Sequence, residues 1–285
     1  MRIAWIGTEF VVMDQVAACL AQMGHEIQRA PDATTDAICA MSITKLPEIQ
    51  AAHASFPSVP LFNYCWDLYS WVWLRPRPGE YDYAAYGRIL HASREIWVPS
   101  QCTAMALKYW YGPKLPPRRR IRTAISIWEP DEEPRNEGYI LNPIREQPDH
   151  LWGWLERICK DRGLRLVSPE HKYSFERYRR AVANCALIVS PLSELSTGGL
   201  TLLEGLRIGK PCLWLDSPWN GASDYVRPYM GAGANVATLE EFEERLVVLV
   251  QNPPVVEPTI RGLIDEQHSP MAMANRIISA IEEAL

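Results

Sequence analysis

Residues 186–226 read ALIVSPLSELSTGGLTLLEGLRIGKPCLWLDSPWNGASDYV. The pattern predicts a buried strand at 186–189, a polar loop with two adjacent glycines, a helix at 200–208 and a second strand at 212–215. Short apolar strands that alternate with helices are typical of a parallel sheet covered on both faces. Such folds bind ligands at the carboxyl ends of their strands. The loop that follows the first of these strands is therefore the first candidate for a functional site.

The segment Ser196–Gly199, which leads into the predicted helix, indicates an anion site. Unpaired backbone N–H groups and the positive end of the helix dipole favour a phosphate at a helix N-terminus. Glu204 lies one turn inside the helix. There its carboxylate can reach a ribose diol while the N–H groups hold a diphosphate. The residues alone leave a second interpretation open, in which the segment is an ordinary helix N-cap followed by a surface glutamate.

The same alternation extends over the rest of the chain. Strands are predicted at 3–6, from Ile27, and at 37–41, 59–65, 95–98, 139–141, 164–167, 186–189, 212–215 and 234–236. Helices are predicted at 11–23, 45–55, 84–93, 149–162, 173–183, 200–208, 239–251 and 271–285. Residues 113–136 contain five prolines and few apolar side chains, which predicts a linker. The chain therefore reads as two α/β domains, as its 285 residues also suggest.

Composition narrows the class of protein. The net charge of −5 argues against broad binding to nucleic acid or to an anionic membrane. The seven cysteines are scattered without any C-x-x-C pair, so we expect small buried side chains in a reducing compartment rather than disulfides or a zinc site. The chain enters a strand at once and has no apolar run near the ~20 residues that span a bilayer. These features predict a soluble, cytoplasmic protein.

Several common site motifs do not occur in the sequence. No G-x-G-x-x-G follows a strand, and Pro211 stands after Gly209-Lys210 where a P-loop needs serine or threonine. H-E-x-x-H, G-x-S-x-G and an Asp-x-Asp triplet for a metal are also absent. The sequence thus argues against a dinucleotide-binding, P-loop, zinc-protease or serine-hydrolase site.

The segment 196–224 resembles the donor-site signature of the large retaining GT-B glycosyltransferase family, which includes sucrose synthase and bacterial mannosyl- and glucosyltransferases. That signature reads Glu-Gly-Phe-Gly-Leu-x-x-Leu-Glu-Ala, then Gly-x-Pro-Val, then Gly-Gly-x-x-Glu. The residues that match it in register are Gly199, Leu200, Leu203, Glu204, Gly209, Pro211 and Gly221. A weaker similarity covers 95–103 and Tyr111-Gly112, at the end of the first domain.

The resemblance implies an α/β GT-B fold with two Rossmann-like domains that face a central cleft. Residues 1–130 would form the acceptor-side domain, 131–268 the donor-nucleotide domain, and 269–285 a helix that crosses back to the first domain. The implied reaction is metal-independent and retaining. It moves a sugar, which we expect to be a hexose, from a nucleotide-diphosphate sugar to a hydroxyl acceptor. The expected nucleotide is UDP or GDP, and no further cofactor is expected.

The resemblance also assigns donor-side residues. The family's ribose-binding glutamate is intact as Glu204. Its sugar-contacting glutamate falls on Ser196, a predicted catalytic residue, with Glu194 two residues earlier as a substitute. The loop N–H groups come from Thr197, Gly198, Gly199 and Leu200. Arg145 (also counted as catalytic) and His150 stand where an arginine and a lysine neutralise the diphosphate in the family; a surface arginine and a loop histidine remain alternatives.

On the acceptor side, Gly7 and Thr8 resemble the first-strand loop that lies against donor and acceptor. Trp66-Asp67 falls where the family has a polar His-Asp pair. Asp67 is therefore the predicted group that orients or deprotonates the acceptor hydroxyl, in an aromatic setting that would raise its pKa. A helix-capping role for Asp67 remains open. The neighbouring aromatic residues at 64–73 would form either an acceptor platform or core packing.

Other functions remain open. Loss of the family's first glutamate and of the acceptor-side histidine is compatible with a non-catalytic nucleotide-sugar-binding protein on the same scaffold. A GT-B epimerase, or a transferase that acts on a modified nucleobase in DNA, is a further alternative. The acidic net charge weighs against DNA.

Overall fold

The structure is a computed structural model. It describes residues 1–7, 11–41, 43–65, 82–111, 121–123, 125–128, 133–143, 149–168, 174–191, 200–216, 221–236 and 238–285. The chain divides into two compact units. Unit 1 comprises Met1–Trp128 and Gln267–Leu285, and unit 2 comprises Glu129–Glu266.

Unit 1 is built around a six-stranded parallel sheet. Its strands are β1 Arg2–Ile6, β2 Glu26–Gln28, β3 Ala37–Ala40, β4 Leu61–Tyr64, β5 Glu95–Val98 and β6 Ile121–Thr123. Its helices are α1 Val11–Gln22, α2 Leu46–Ser55, α3 Tyr83–Ala92, α4 Gln101–Tyr111 and the C-terminal α11 Pro270–Glu282. The strand order is β2-β1-β3-β4-β5-β6. The order reverses between β1 and β3.

Both faces of this sheet are covered, as the apolar strands predict. In β1, Ile3 and Trp5 pack in one core with α1 and α11, while Ala4 and Ile6 pack in another with α2 and α3. Alternate residues of a strand point to opposite faces, so a strand buried on both sides is expected to be largely apolar. The C-terminal helix α11 is thus part of the core of unit 1, where it packs against α1.

Unit 2 contains a five-stranded parallel sheet. Its strands are β7 Tyr139–Leu141, β8 Arg165–Val167, β9 Leu187–Ser190, β10 Cys212–Leu215 and β11 Gly233–Val236. Its helices are α5 Asp149–Asp161, α6 Phe175–Asn184, α7 Leu200–Arg207, α8 Gly221–Val226, α9 Leu239–Gln251 and α10 Pro258–His268. The last two residues of α10 are assigned to unit 1. The strand order is β11-β10-β9-β7-β8. Here the order reverses between β7 and β9.

One face of the second sheet packs on α5 and α9. Leu187, Val189 and Leu213 of the strands meet Leu155 and Phe242 of these helices in one apolar core. The opposite face, which carries Ile188, packs against α7. All seven cysteines are buried free thiols, as their apolar surroundings predict, and burial raises the pKa of Cys159 to about 11.

The predicted linker at 113–136 is wrong over residues 121–123, which form β6. This strand pairs in parallel with β5 at the edge of the first sheet. Arg122 in β6 donates from Nε to the buried carboxylate of Glu95 at 3.0 Å, and also pairs with Glu283. Within the described ranges, no helix has the length and apolar character to cross a membrane.

Candidate functional site

Each sheet has one place where the strand order reverses, and open α/β sheets bind ligands outside the carboxyl ends of the strands at such a place. In unit 2, the strands concerned are β7 and β9, which end at Leu141 and Ser190. The loops that follow them carry Arg145 and the segment Ser196–Gly199. The topology of unit 2 therefore favours the same region that the sequence pattern favours, although both loop segments lie outside the described residues.

Helix α7 follows the second of these loops and carries Glu204. The helix begins at Leu200, which is half-buried, and Glu204 is only 4% exposed. The alternative of a surface glutamate is therefore wrong. Burying a carboxylate is costly unless other groups hydrogen-bond it. Glu204 must accordingly be held by specific partners.

One partner comes from the neighbouring helix α6. The Tyr178 hydroxyl donates a short hydrogen bond to Oε2 of Glu204 and lies 2.5 Å from Oγ1 of Thr201. Thr201 and Glu204 are three residues apart, so their side chains lie on one face of α7. Tyr178 thus joins two helices through a buried polar cluster, which we call the Tyr178–Thr201–Glu204 cluster.

Two further polar groups near this end of the sheet find no hydrogen-bond partner among the described residues. Ser190, the last residue of β9, is 2% exposed, and Trp214 in β10 is fully buried. The two residues are paired neighbours across β9 and β10. They share the face of Ile188, which packs against α7. The Ser190 hydroxyl lies at the end of β9, and the Trp214 indole lies beside it on β10.

The Gly205–Pro211 segment places α7 against the sheet. A Cβ on Gly205 would lie 2.1 Å from Cδ1 of Ile188, so only glycine lets the helix approach β9 this closely. Gly209 has φ +84°, a conformation that ends the helix. Lys210 donates from Nζ to the carbonyl oxygens of Arg135 and, at 2.9 Å, of Cys185. Burial lowers its pKa, and its role is structural.

Unit 1 has a cavity at the corresponding place in its sheet. Gly7 follows β1, beside the reversal of strand order, and has φ +98°, which only glycine adopts easily. It lines a cavity of about 820 Å³ together with Asp14, Arg29, Lys45 and Glu48. Partial burial raises the pKa of Asp14. Lys45 lies 3.8 Å from Glu48. The cavity therefore carries groups of both signs.

The described residues contain three of the predicted site residues in full, namely Gly7, Leu200 and Glu204. His150 lies in the first turn of α5, but its side chain is outside the described part. Thr8, Asp67, Arg145, Glu194, Ser196, Thr197, Gly198 and Gly199 also lie outside it. In the described part of the chain, no three His, Cys, Asp or Glu side chains gather closely enough to hold a metal ion.

Sequence reasoning missed Tyr178, Ser190 and Trp214. Tyr178 stands in a predicted amphipathic helix, 26 residues from Glu204, and no motif links the two positions. Ser190 ends the apolar run of β9, and Trp214 lies within the apolar run of β10. A polar atom within such a run was the only available signal.

Comparison with known proteins gives structural relatives and no sequence relatives. No protein-family model and no curated protein sequence matches the chain. HepE of Anabaena, solved with UDP and glucose, superposes with a TM-score of 0.66 at 11% identity, over 99% of this chain and 100% of HepE. Sucrose-phosphate synthase of Thermosynechococcus elongatus gives 0.69 at 10% identity, over 100% and 99% of the two chains.

A glycosyltransferase of Rickettsia africae gives a TM-score of 0.65 at 10% identity, over 99% of this chain and 98% of that one. At sequence identities this low, the similarity shows a shared fold and nothing about function. The similarity extends over almost the whole length of each chain, and both parallel-sheet units take part in it. The chain has the fold of the GT-B glycosyltransferases, built from two Rossmann-like α/β units.

Proposed function

We propose that the protein is a glycosyltransferase that moves a sugar from a nucleotide-diphosphate sugar to a hydroxyl acceptor. The observation that carries the proposal is Glu204, a buried carboxylate in the first turns of α7. Helix α7 follows β9, one of the two strands between which the strand order reverses. A diphosphate held by the start of α7 would bring a ribose within reach of this carboxylate.

The donor side of the proposal lies in unit 2. The backbone N–H groups of residues 197–200 and the guanidinium of Arg145 would hold the diphosphate, with His150 as an additional donor. Ser196 and Glu194 would face the sugar. UDP is the first nucleotide to test, because the HepE structures contain UDP or UDP-glucose, and GDP is the second.

The acceptor side lies in unit 1. Gly7 and Thr8 would line the acceptor pocket, and Asp67 would orient or deprotonate the acceptor hydroxyl. The cavity beside Gly7 is large enough for a sugar-sized molecule. Residues 1–130, 131–268 and 269–285 remain our proposed acceptor domain, donor domain and returning helix.

We propose that the transfer is retaining and needs no metal, as in the family that the donor segment resembles. The main chemical task is then to stabilise the negative charge that develops on the leaving diphosphate. Backbone N–H groups and Arg145 supply that stabilisation without a proton transfer. Exclusion of water from the donor would prevent its hydrolysis.

The first test is nucleotide binding. Thermal-shift screening with uridine, guanosine and adenosine diphosphates and their sugars should identify one stabilising nucleotide. Glu204→Ala and Arg145→Ala should each weaken its binding by about 1–3 kcal/mol, the range for losing a hydrogen bond to a charged group. Unchanged affinity in both variants would refute the residue assignment.

A matched control is available in the same unit. Arg162 and Glu243 form an exposed ion pair at 3.1 Å, and Glu243 belongs to α9, on the face of the sheet opposite α7. Arg162→Ala and Glu243→Ala should leave nucleotide affinity unchanged, because exposed ion pairs contribute little. A loss of binding in these controls would mean that the effect of Glu204→Ala is not local.

A non-catalytic nucleotide-sugar-binding protein is the second candidate. Ser196 favours it, because it stands where the family has the glutamate that contacts the donor sugar. Incubation with the stabilising nucleotide sugar distinguishes the two candidates. An enzyme releases the nucleoside diphosphate, either by transferring the sugar to an added acceptor or by slowly hydrolysing the donor to free sugar, whereas a binding protein returns the donor intact.

A further inference from the structure

We infer that Tyr178 is a positioning residue, which holds the Glu204 carboxylate toward the donor's ribose and so makes the site select ribonucleotide over 2′-deoxyribonucleotide donors. This inference rests on the proposed function, because it takes the donor site to lie at α7. It goes further by naming a residue that acts through Glu204 and a chemical feature of the ligand that the pair recognises. Nothing in the sequence pattern assigns Tyr178 to the site.

The hydrogen-bond chain has only one consistent direction. A tyrosine hydroxyl carries a single proton and can donate only one hydrogen bond. Since Tyr178 donates to Oε2 of Glu204, its hydroxyl oxygen must be the acceptor from Thr201, which lies 2.5 Å away. Thr201 therefore donates to Tyr178, and Tyr178 donates to Glu204. Hydrogen bonds in such a chain polarise one another, so each strengthens the next.

The surroundings restrict the carboxylate further. Thr201 and Glu204 are both buried, while Tyr178 is half-buried and its ring stacks on Phe175 at 6.3 Å. A free glutamate side chain samples many rotamers, and ordering it costs about 1–2 kcal/mol. Here the tyrosine and threonine hydroxyls have already ordered it before any ligand arrives. A ligand therefore meets a carboxylate of fixed position, which is what preorganised recognition requires.

A fixed buried carboxylate discriminates by what the ligand can donate. A site built to hydrogen-bond a hydroxyl rejects an analogue that lacks it, because the buried group is then left without that partner. The ribose 2′-hydroxyl is the donor that distinguishes UDP from 2′-deoxy-UDP. If Tyr178 is removed, the carboxylate can reorient, and discrimination between the two nucleotides should fall.

The test measures dissociation constants of UDP and 2′-deoxy-UDP by calorimetry for the full chain and its Tyr178→Phe variant. GDP and 2′-deoxy-GDP replace them if the unsubstituted protein prefers guanosine. We expect the unsubstituted protein to prefer the ribonucleotide by about tenfold or more. Tyr178→Phe should weaken ribonucleotide binding about tenfold and deoxyribonucleotide binding less than about threefold.

Tyr139→Phe is the matched control. The Tyr139 hydroxyl is also buried in unit 2, where it donates to the backbone carbonyl of Ala181 at 2.8 Å. Its loss should lower the thermal midpoint in the same way as Tyr178→Phe, yet leave both dissociation constants within about twofold. A purely structural role of Tyr178 would make the two variants behave alike.

Four further variants test whether Tyr178 acts through Glu204. Thr201→Val removes the first donor of the chain and should reduce the preference for the ribonucleotide, and Thr201→Ser should restore it. In Glu204→Gln, the added Tyr178→Phe change should have less than about twofold effect, because the two residues act as a unit.

The outcomes separate the inference from the proposed function. If the unsubstituted protein binds none of UDP, GDP, ADP and their sugars, the proposed function fails and the inference fails with it. If it binds a nucleotide but Tyr178→Phe weakens both sugar forms equally, or matches Tyr139→Phe, the inference is overturned while the proposed function stands.

Discussion

Replacement of Gly205 by alanine tests how α7, and with it Glu204, is positioned. Ordinary carbon–carbon contacts lie at about 3.5–4.0 Å. The new Cβ would lie 2.1 Å from Cδ1 of Ile188, about 1.4 Å too close. Ile188 is fully buried in β9, a strand with neighbours on both sides, so its side chain has little room to move.

Two opposing terms set the magnitude. Alanine is the better helix former by about 1 kcal/mol. Forcing a methyl group into a packed core costs about 1–3 kcal/mol. The helix cannot easily shift aside, because Cβ of Lys210 already lies 3.5 Å from the new methyl position. We therefore expect Gly205→Ala to lower the free energy of unfolding by up to about 2 kcal/mol.

Ile188→Val supplies the compensating change, because it deletes the clashing Cδ1 atom. Alone it should cost about 1 kcal/mol. With Gly205→Ala, the added methyl occupies the vacated space, and the next contact, to the position of Cγ1, is 3.4 Å. The double variant should therefore lie near the unsubstituted protein, with a coupling energy of about 2 kcal/mol.

Urea unfolding followed by tryptophan fluorescence measures these free energies, and calorimetry with the stabilising nucleotide reports on the site. Gly153 in α5 is the control, because a Cβ there meets nothing within 4 Å. Gly153→Ala should stabilise by up to about 1 kcal/mol. The reasoning is refuted if Gly205→Ala also stabilises, or if the effects of Gly205→Ala and Ile188→Val simply add.

Two further predictions concern unit 1. His268 is neutral in the fold, because burial first and the charge of Arg276 second lower its pKa from 6.5 to about 4. Because the unfolded chain takes up this proton more readily than the folded protein, the free energy of unfolding falls as the pH drops from 6.5 toward 4. The loss amounts to up to about 3 kcal/mol. Urea unfolding at pH 7.5 and 5 measures this loss, which should be larger in the unsubstituted protein than in the His268→Gln variant. An equal loss of stability in the two proteins would contradict the prediction. Glu95 accepts from Trp97 Nε1 at 2.8 Å and from Arg122. Glu95→Leu should therefore lower the free energy of unfolding by about 3 kcal/mol. Glu95→Gln keeps an acceptor for the indole and should lower it by only about 1 kcal/mol. Thermal unfolding of the two variants measures this difference, and equal destabilisation would contradict the prediction.

The edge strand β6 shows where local pattern fails. Its three residues include two polar ones, Arg122 and Thr123, and they follow a run of prolines and arginines. An edge strand needs neither an apolar run nor strict alternation, because one side of its backbone stays unpaired. Ile121–Thr123 is a strand because β5 offers a free edge and because Glu95 and Glu283 hold Arg122. None of these partners is near in sequence.

The candidate site divides in the same way. The Gly-Lys-Pro turn and the placement of Glu204 one turn inside a helix follow from residues within a short segment, so the sequence predicts them. Whether Glu204 is buried or exposed does not follow, because that depends on α6, a helix contributed by an earlier part of the chain. The structure makes Glu204 buried and gives it Tyr178 as a partner.

The amino-acid sequence alone determined the class of the fold, because strands buried on both faces are largely apolar and helices repeat their apolar residues every three to four positions. It also located the glycine-containing loop and its helix. The tertiary structure alone decided which strand closes the first sheet and which hydroxyl meets Glu204. These are contacts between residues far apart in the chain, and they depend on how whole elements pack rather than on any local pattern.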